Sequence, residues 1–191
     1  EESDEVFLKT THSVGGVKAA LVGVSDIEKA RRLYGDVLGY TEVVFDQQGS
    51  FEDFSPMPGG ASSYRRVRLA PKQSRKGGLS RLFGSSYVEL VQATDRVPVR
   101  IFRDRYWGDK GFIHLCFDVY DTESLKKACE EAGFSFTVDS QDSFDMGEAA
   151  GRFAYAEDPD GTLIEFVEAF KMPLLKKIGW YLDLRKRDPD R

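Results

Sequence analysis

The sequence predicts an α+β protein built from two copies of one βαβββ unit. Three observations predict it. The order strand, Asp-capped helix, glycine, strand occurs twice. Each copy then closes on an apolar strand with a glutamate at its centre. The 191 residues, 41% hydrophobic and 31% charged, suit one globular body with a shared core or two small domains.

The first copy opens with Val17 to Val24, a short β-branched run that reads as a strand. Ser25 or Asp26 supplies a helix N-cap. Ile27, Ala30, Leu33, Tyr34, Val37 and Leu38 then recur at helical spacing, and Gly39 ends the helix. Thr41 to Phe45 is the second strand and Tyr64 to Leu69 the third. Between them lies an insertion, Gln47 to Ser63, and a basic loop, Lys72 to Arg81, follows. Tyr87 to Gln92 closes the copy, with Glu89 at its centre.

The second copy repeats the plan. Phe112 to Val119 is a strand, Asp121 or Thr122 caps a helix that Gly133 ends, and Phe134 to Val138 is the next strand. Arg152 to Ala156 is the third strand, and Asp158-Pro159-Asp160-Gly161 is a tight turn. Leu163 to Glu168 closes the copy around Glu165. Repetition of a whole supersecondary unit is hard to reach by chance. The organisation expected is an extension over 1–15, a first module over 16–94, a linker over 95–110, a second module over 111–169, and a C-terminal amphipathic helix and tail over 170–191. Leu174, Leu175, Ile178, Tyr181, Leu182 and Arg185 give that helix its apolar stripe, to be covered by the domain or by a homodimer partner.

The net charge of −5 argues against a general nucleic-acid binder. No apolar run is long enough to span a bilayer. Cys116 and Cys129 do not make a disulfide framework and read as small buried hydrophobes in a reducing compartment, so a cytoplasmic protein is expected. The chain begins at Glu1 without Met, which suggests a processed protein or a fragment.

Alternation along the strands places Ile113, Leu115, Phe117 and Val119 on the helix-covered face and Phe112, His114, Cys116 and Asp118 on the other. Glu89 and Glu165 likewise sit among apolar neighbours. A buried carboxylate needs a partner. A divalent cation, a ligand with hydrogen-bond donors, or a plain His–Glu hydrogen bond would each serve.

Several segments carry a family resemblance. They are Ser25-Asp26-Ile27-Glu28-Lys29-Ala30 with Leu33-Tyr34 and Val37-Leu38-Gly39-Tyr40, then Gly111 to Phe117, then Asp158 to Phe166. Over about Gly16 to Ala169 the chain resembles the glyoxalase/bleomycin-resistance/extradiol-dioxygenase superfamily, also called vicinal oxygen chelate proteins. The resemblance implies two paired modules forming an open eight-stranded cup around a divalent metal ion (Zn, Ni, Co, Mn or Fe). It implies His114, Glu165 and Glu89 as metal ligands. The fourth ligand position falls at Ala19, which cannot ligate. His12 is the other histidine, upstream of the first strand.

The function this implies is a metal-dependent lyase or isomerase of glyoxalase type acting on a small carbonyl substrate, with Glu89 or Glu165 moving the proton. The alternatives are a metal-free small-molecule binding and sequestering protein of the bleomycin-resistance type, or half of a larger multi-module protein. Arg65, Arg66, Arg68, Lys72, Arg75, Lys76 and Arg81 form one basic cluster, and Arg100, Arg103 and Arg105 another. Either is a solvated face or a grip for an anion. Arg105 and Trp107 are the substrate-binding candidates, at the mouth of the cup with Phe102 and Tyr106. Gly77-Gly78 lacks the spacing of a phosphate loop.

Overall fold

The computed structural model describes residues 17–73, 75–141, 144–145, 150–175 and 179–184. The extension over 1–15, with His12, lies outside them. The chain forms β1 (Ala19–Gly23), α1 (Ile27–Arg31), β2 (Glu42–Gly49), β3 (Tyr64–Ala70), α2 (Ser80–Phe83) and β4 (Tyr87–Ala93). The second half forms β5 (His114–Asp118), α3 (Thr122–Ala132), β6 (Phe136–Asp139), β7 (Phe144–Asp145), β8 (Ala150–Glu157), β9 (Leu163–Leu175) and β10 (Trp180–Asp183).

Both modules have the predicted topology. The first sheet runs β1-β4-β3-β2, with β1 parallel to β4 and the other pairs antiparallel. In the second, β5 is parallel to β9, and β9, β8 and β6 are antiparallel neighbours. The registers match as well. Leu21 lies opposite Glu89 as Cys116 lies opposite Glu165, and Arg68 faces Glu89 as Tyr155 faces Glu165.

The C-terminal segment corrects the sequence expectation of a helix. Strand β9 runs on through Leu175, and β10 returns antiparallel to it, pairing Leu182 with Met172 and Asp183 with Lys171. The apolar residues of this segment satisfy a two-residue period as well as a helical one. Pro173 and Gly179 disfavour a helix interior, and the open edge of β9 offers hydrogen bonds to an extended chain.

Each helix is docked on its sheet by the same device. Asp26 and Asp121 cap the helices by accepting from Lys29 N and Ser124 N. The last strand reaches up to the same ends. Ile27 N donates to Gln92 Oε1 at 3.2 Å, and Thr122 N donates to Glu168 Oε2 at 3.0 Å. In the first turn of each helix, a glutamate meets an arginine from the third strand. Arg65 donates to Glu28 at 2.9 Å and grips Asp46 with two bonds of 2.9 and 2.7 Å. Arg152 pairs with Glu123 and grips Asp139 with two bonds of 3.0 and 2.8 Å. Asp139 is held well below the ordinary carboxylate value, first by its bonds to Arg152.

Beyond Arg31 the first helix widens into a π-helical turn, Arg32–Val37, which buries Leu33 and Tyr34. The Tyr34 hydroxyl donates to Asp158 at 3.0 Å in the turn before β9. Arg32 donates to the Ala132 carbonyl at the end of α3. The modules therefore share one core, in which Val22, Ile27, Leu33, Val67 and Leu90 pack in a cluster with Cys129, Ala154, Ile164 and Phe166. Leu115, Phe117 and Val119 pack against it, so β5 presents the predicted face.

Replacing Arg152 by Met should cost about 2–4 kcal/mol near neutral pH, because Asp139 loses its buried partner. A carboxylate with a depressed folded pKa contributes stability above its unfolded value of 3.8, lost as the pH falls below it. The difference between wild type and variant in urea denaturation should therefore shrink between about pH 5 and pH 2.

Candidate functional site

On the open face of the first sheet the central feature is Glu89. Its side chain has no exposed surface. Arg66 Nε donates to its Oε1 at 2.6 Å, and Arg68 donates to its Oε2 from Nε at 2.9 Å and Nη2 at 2.7 Å. Strand β3 places both arginines on this face two residues apart, facing β4. Arg66 also donates to both oxygens of Asp53, at 2.9 and 2.8 Å. Aromatic rings stack on its guanidinium, with centroids 4.2 Å away for Phe54, 4.7 Å for Phe51 and 5.9 Å for Phe45. The predicted insertion is thus an extended β2 and a short 3-10 turn, Glu52–Phe54, pinned to the open face by Arg66. Gly60 allows this packing, since a Cβ there would lie 1.7 Å from the Phe54 carbonyl oxygen.

On the open face of the second sheet, His114 Nε2 lies 3.1 Å from Glu165 Oε2. The Tyr155 hydroxyl donates to Glu165 Oε1 at 2.8 Å, and its ring meets the His114 ring edge-on at 5.6 Å. The Nε2 proton therefore points at Glu165. His114 Nδ1 is buried and has no hydrogen-bond partner among the described residues. Cys116 stands beside this pair, open to solvent as a residue and not buried as expected, while Cys129 is buried; both thiols are free. Crowding around the sulfur and the charge of Glu165 push the Cys116 thiol up to about 12, which leaves it a poor nucleophile at neutral pH. Burial and the bond to Glu165 likewise push Tyr155 up to about 12, so it stays a donor.

The structure thus brings His114 and Glu165 together and gives Glu89 separate partners. Among the described residues no group of three His, Cys, Asp or Glu side chains is placed to hold a metal ion. Two neighbouring ligands of one ion, each about 2 Å from it, lie roughly 3 Å apart. The His114–Glu165 spacing therefore suits a shared ion as well as a hydrogen bond. Among its described residues the first module supplies no further ligand. Ala19 has no donor atom, and both oxygens of Glu89 face guanidinium groups. Two protein ligands fall short of the three that catalytic divalent sites use, so the described residues do not fit a resident metal.

The substrate-binding candidates lie in the linker. Arg105 donates to the Lys110 carbonyl, Tyr106 N donates to Asp109 at 2.9 Å, and Trp107 is largely exposed. A cavity of about 370 Å³ opens elsewhere, on the helix side of the second sheet, lined by Glu123, Lys126, Asp139, Gln141, Arg152 and Phe170. Its four charged groups pair with one another.

The sequence reading treated Arg66 and Arg68 as part of a basic cluster and did not connect them with Glu89. Their two-residue spacing, on the strand preceding the one that carries Glu89, is the signal that joins them.

Glu89→Gln should cost about 3–5 kcal/mol in urea denaturation, because two arginines lose a fully buried counter-charge. Glu165→Gln, on a partly exposed side chain that meets Tyr155 and His114 and no arginine, should cost about 1 kcal/mol. Similar costs at the two positions would contradict this division.

Residues 20–155 match the Glyoxalase/Bleomycin resistance protein/Dioxygenase superfamily. Solved structures share the fold. A glyoxalase family protein from Bacillus cereus aligns with a TM-score of 0.62 and 13% identity, over 85% of this chain and 99% of that one. A glyoxalase family protein from Enterococcus faecalis aligns at 0.52 and 20% identity, over 80% and 96%. A domain of the superfamily from Frankia sp. EAN1pec aligns at 0.51 and 15% identity, over 82% and 99%. No curated protein sequence is significantly similar to the chain. With most of its length matched, its repeat and its strand order in place, the chain belongs to the glyoxalase/bleomycin resistance protein/dioxygenase superfamily.

Proposed function

We propose that the chain is a metal-independent small-molecule-binding protein, of the kind the bleomycin-resistance branch of the superfamily represents. The observation that supports this reading is the state of Glu89. The carboxylate the family resemblance assigns to a metal accepts three hydrogen bonds from Arg66 and Arg68 and is fully buried. A divalent cation at Glu89 would have to displace two guanidinium groups in the presence of Ala19, where no ligand can compensate. The ligand is a small molecule held on the open face of a sheet, and exposed Trp107 is available to it.

A second reading keeps proton-transfer chemistry on a small carbonyl substrate. It is favoured by His114, whose Nδ1 is buried without a hydrogen-bond partner among the described residues while Glu165 meets the opposite nitrogen and Tyr155 donates to Glu165. In that reading His114 and Glu165 move the proton and Glu89 does not.

No helix among the described residues is long and apolar enough to cross a membrane. The two free thiols support a reducing, cytoplasmic setting. Val97, Tyr106 and Trp107 leave apolar surface on the linker that a homodimer would cover.

Elemental analysis after dialysis against Zn, Ni, Co, Mn and Fe should find less than about 0.1 equivalent of metal per chain. Near one equivalent, lost in His114→Ala and Glu165→Ala, would restore the metal-dependent lyase or isomerase.

A further inference from the structure

The C-terminal hairpin carries an apolar face. Trp180, Leu182 and Leu184 alternate on one side of the chain along and just past β10, and Leu182 lies opposite Met172 of β9. Trp180 is 57% exposed and Leu182 44%. Leu184 is buried, and the basic loop of the first module stands against it. A Cβ at Gly78 would lie 3.1 Å from Leu184 Cδ1, and one at Gly77 only 2.1 Å from Asp118 Oδ2. Leu79 N donates to that same Asp118 oxygen at 2.8 Å. The loop is thus fixed against the end of β5 and the hairpin, and the apolar face continues outward from Leu184.

The chain also enters the fold at this end. The Lys18 carbonyl accepts from Tyr87 N at 2.9 Å, and Ser86 Oγ lies 3.0 Å from Arg75 Nη2 of the basic loop. Residues before Val17 therefore approach β1 beside that loop. Phe7 precedes Val17 by ten residues. Ten extended residues span up to about 33 Å, enough to cross the loop to the hairpin. Charge favours that course. The chain has a net charge of −5, yet Lys72, Arg75 and Lys76 lie in the loop, and Arg185, Lys186 and Arg187 follow Leu184 in the sequence. Glu1, Glu2, Asp4 and Glu5 run directly into Val6, Phe7 and Leu8. An acidic run beside three apolar residues complements a basic rim beside an apolar face. We propose that residues 1–8 fold back on their own chain, seating Phe7 and Leu8 on Trp180 and Leu182 with the acidic residues against the basic rim. This docking does not depend on what the open faces bind.

The test is tryptophan fluorescence of the full chain carrying Trp107→Phe, which leaves Trp180 as its one tryptophan. Phe7→Asp with Leu8→Asp should shift the Trp180 emission to the red and raise its acrylamide quenching constant at least about twofold, as the ring loses its apolar cover. Replacing Glu1, Glu2, Asp4 and Glu5 by lysine should do the same at low salt. In the parent, about 1 M salt should raise the quenching in the same direction by screening the acidic run from the basic rim. None of these changes should depend on protein concentration, and thermal melting confirms that each variant is folded. Equal quenching of Trp180 in the parent and in both leader variants would overturn the docking. Shielding that survives both variants and grows with protein concentration would overturn it in favour of a second copy on this face. Shielding that the leader variants abolish but that dilution also abolishes would overturn the return of the segment to its own chain.

Discussion

The first module is organised around one electrostatic requirement, the neutralisation of a carboxylate with no access to water. Glu89 is carried into the protein by a strand whose neighbouring residues, Val88 and Leu90, belong to the core. An ion buried there without partners would cost several kcal/mol. Arg66 and Arg68 meet the requirement, and the consequences spread outward from them. Arg66 is itself nearly buried, so it needs Asp53 and a sheath of rings. Asp53 and two of those rings, Phe51 and Phe54, come from the segment after β2, which therefore lies on the sheet and narrows the space above it. A single acidic side chain in this way determines the conformation of a loop more than thirty residues earlier in the chain.

The second module starts from the same blueprint and solves the corresponding problem without arginine. Tyr155 occupies the register position of Arg68, Phe153 that of Arg66, and His114 that of Ala19. Glu165 meets a phenol and an imidazole and remains partly exposed. The helix-facing sides stay alike, and the Glu28–Arg65–Asp46 and Glu123–Arg152–Asp139 clusters can almost be superposed by name. The two open faces have diverged while the faces that hold the helices have not. That is the pattern expected when the packed side of a repeat is constrained by folding and the open side by what it binds.

Much of this was legible in the chain. Alternation in Phe112 to Val119 placed His114 and Cys116 away from the core, and the matched glutamates located the two closing strands. The Asp-capped helices and their terminal glycines were read from local backbone chemistry, which tertiary context did not override: Gly39 and Gly133 have φ of 81° and 89°. Three things were not legible, for different reasons. Whether Glu89 faces a cation from solution or from the protein depends on cross-strand register, a nonlocal property. Met172 to Leu182 carries a pattern that fits both periods, and the vacant edge of β9 decided between them. Phe51, Asp53 and Phe54 sit in a stretch of turn residues whose destination is set by an arginine on another strand.

Strand β9 has a further consequence. It is the longest of the described strands and lies inside its sheet, with β8 along one side. On its other side β5 covers Leu163 to Val167 and β10 covers Lys171 to Leu175. Beyond β8, the outer positions are taken in the same way by β6 and the two-residue β7. Both borders of this sheet are therefore tiled by short pieces laid end to end. Among the described residues neither presents a long unbroken ladder of amide and carbonyl groups to a neighbouring molecule, and short edge strands of this kind are a means by which β-rich proteins avoid joining edge to edge into fibres.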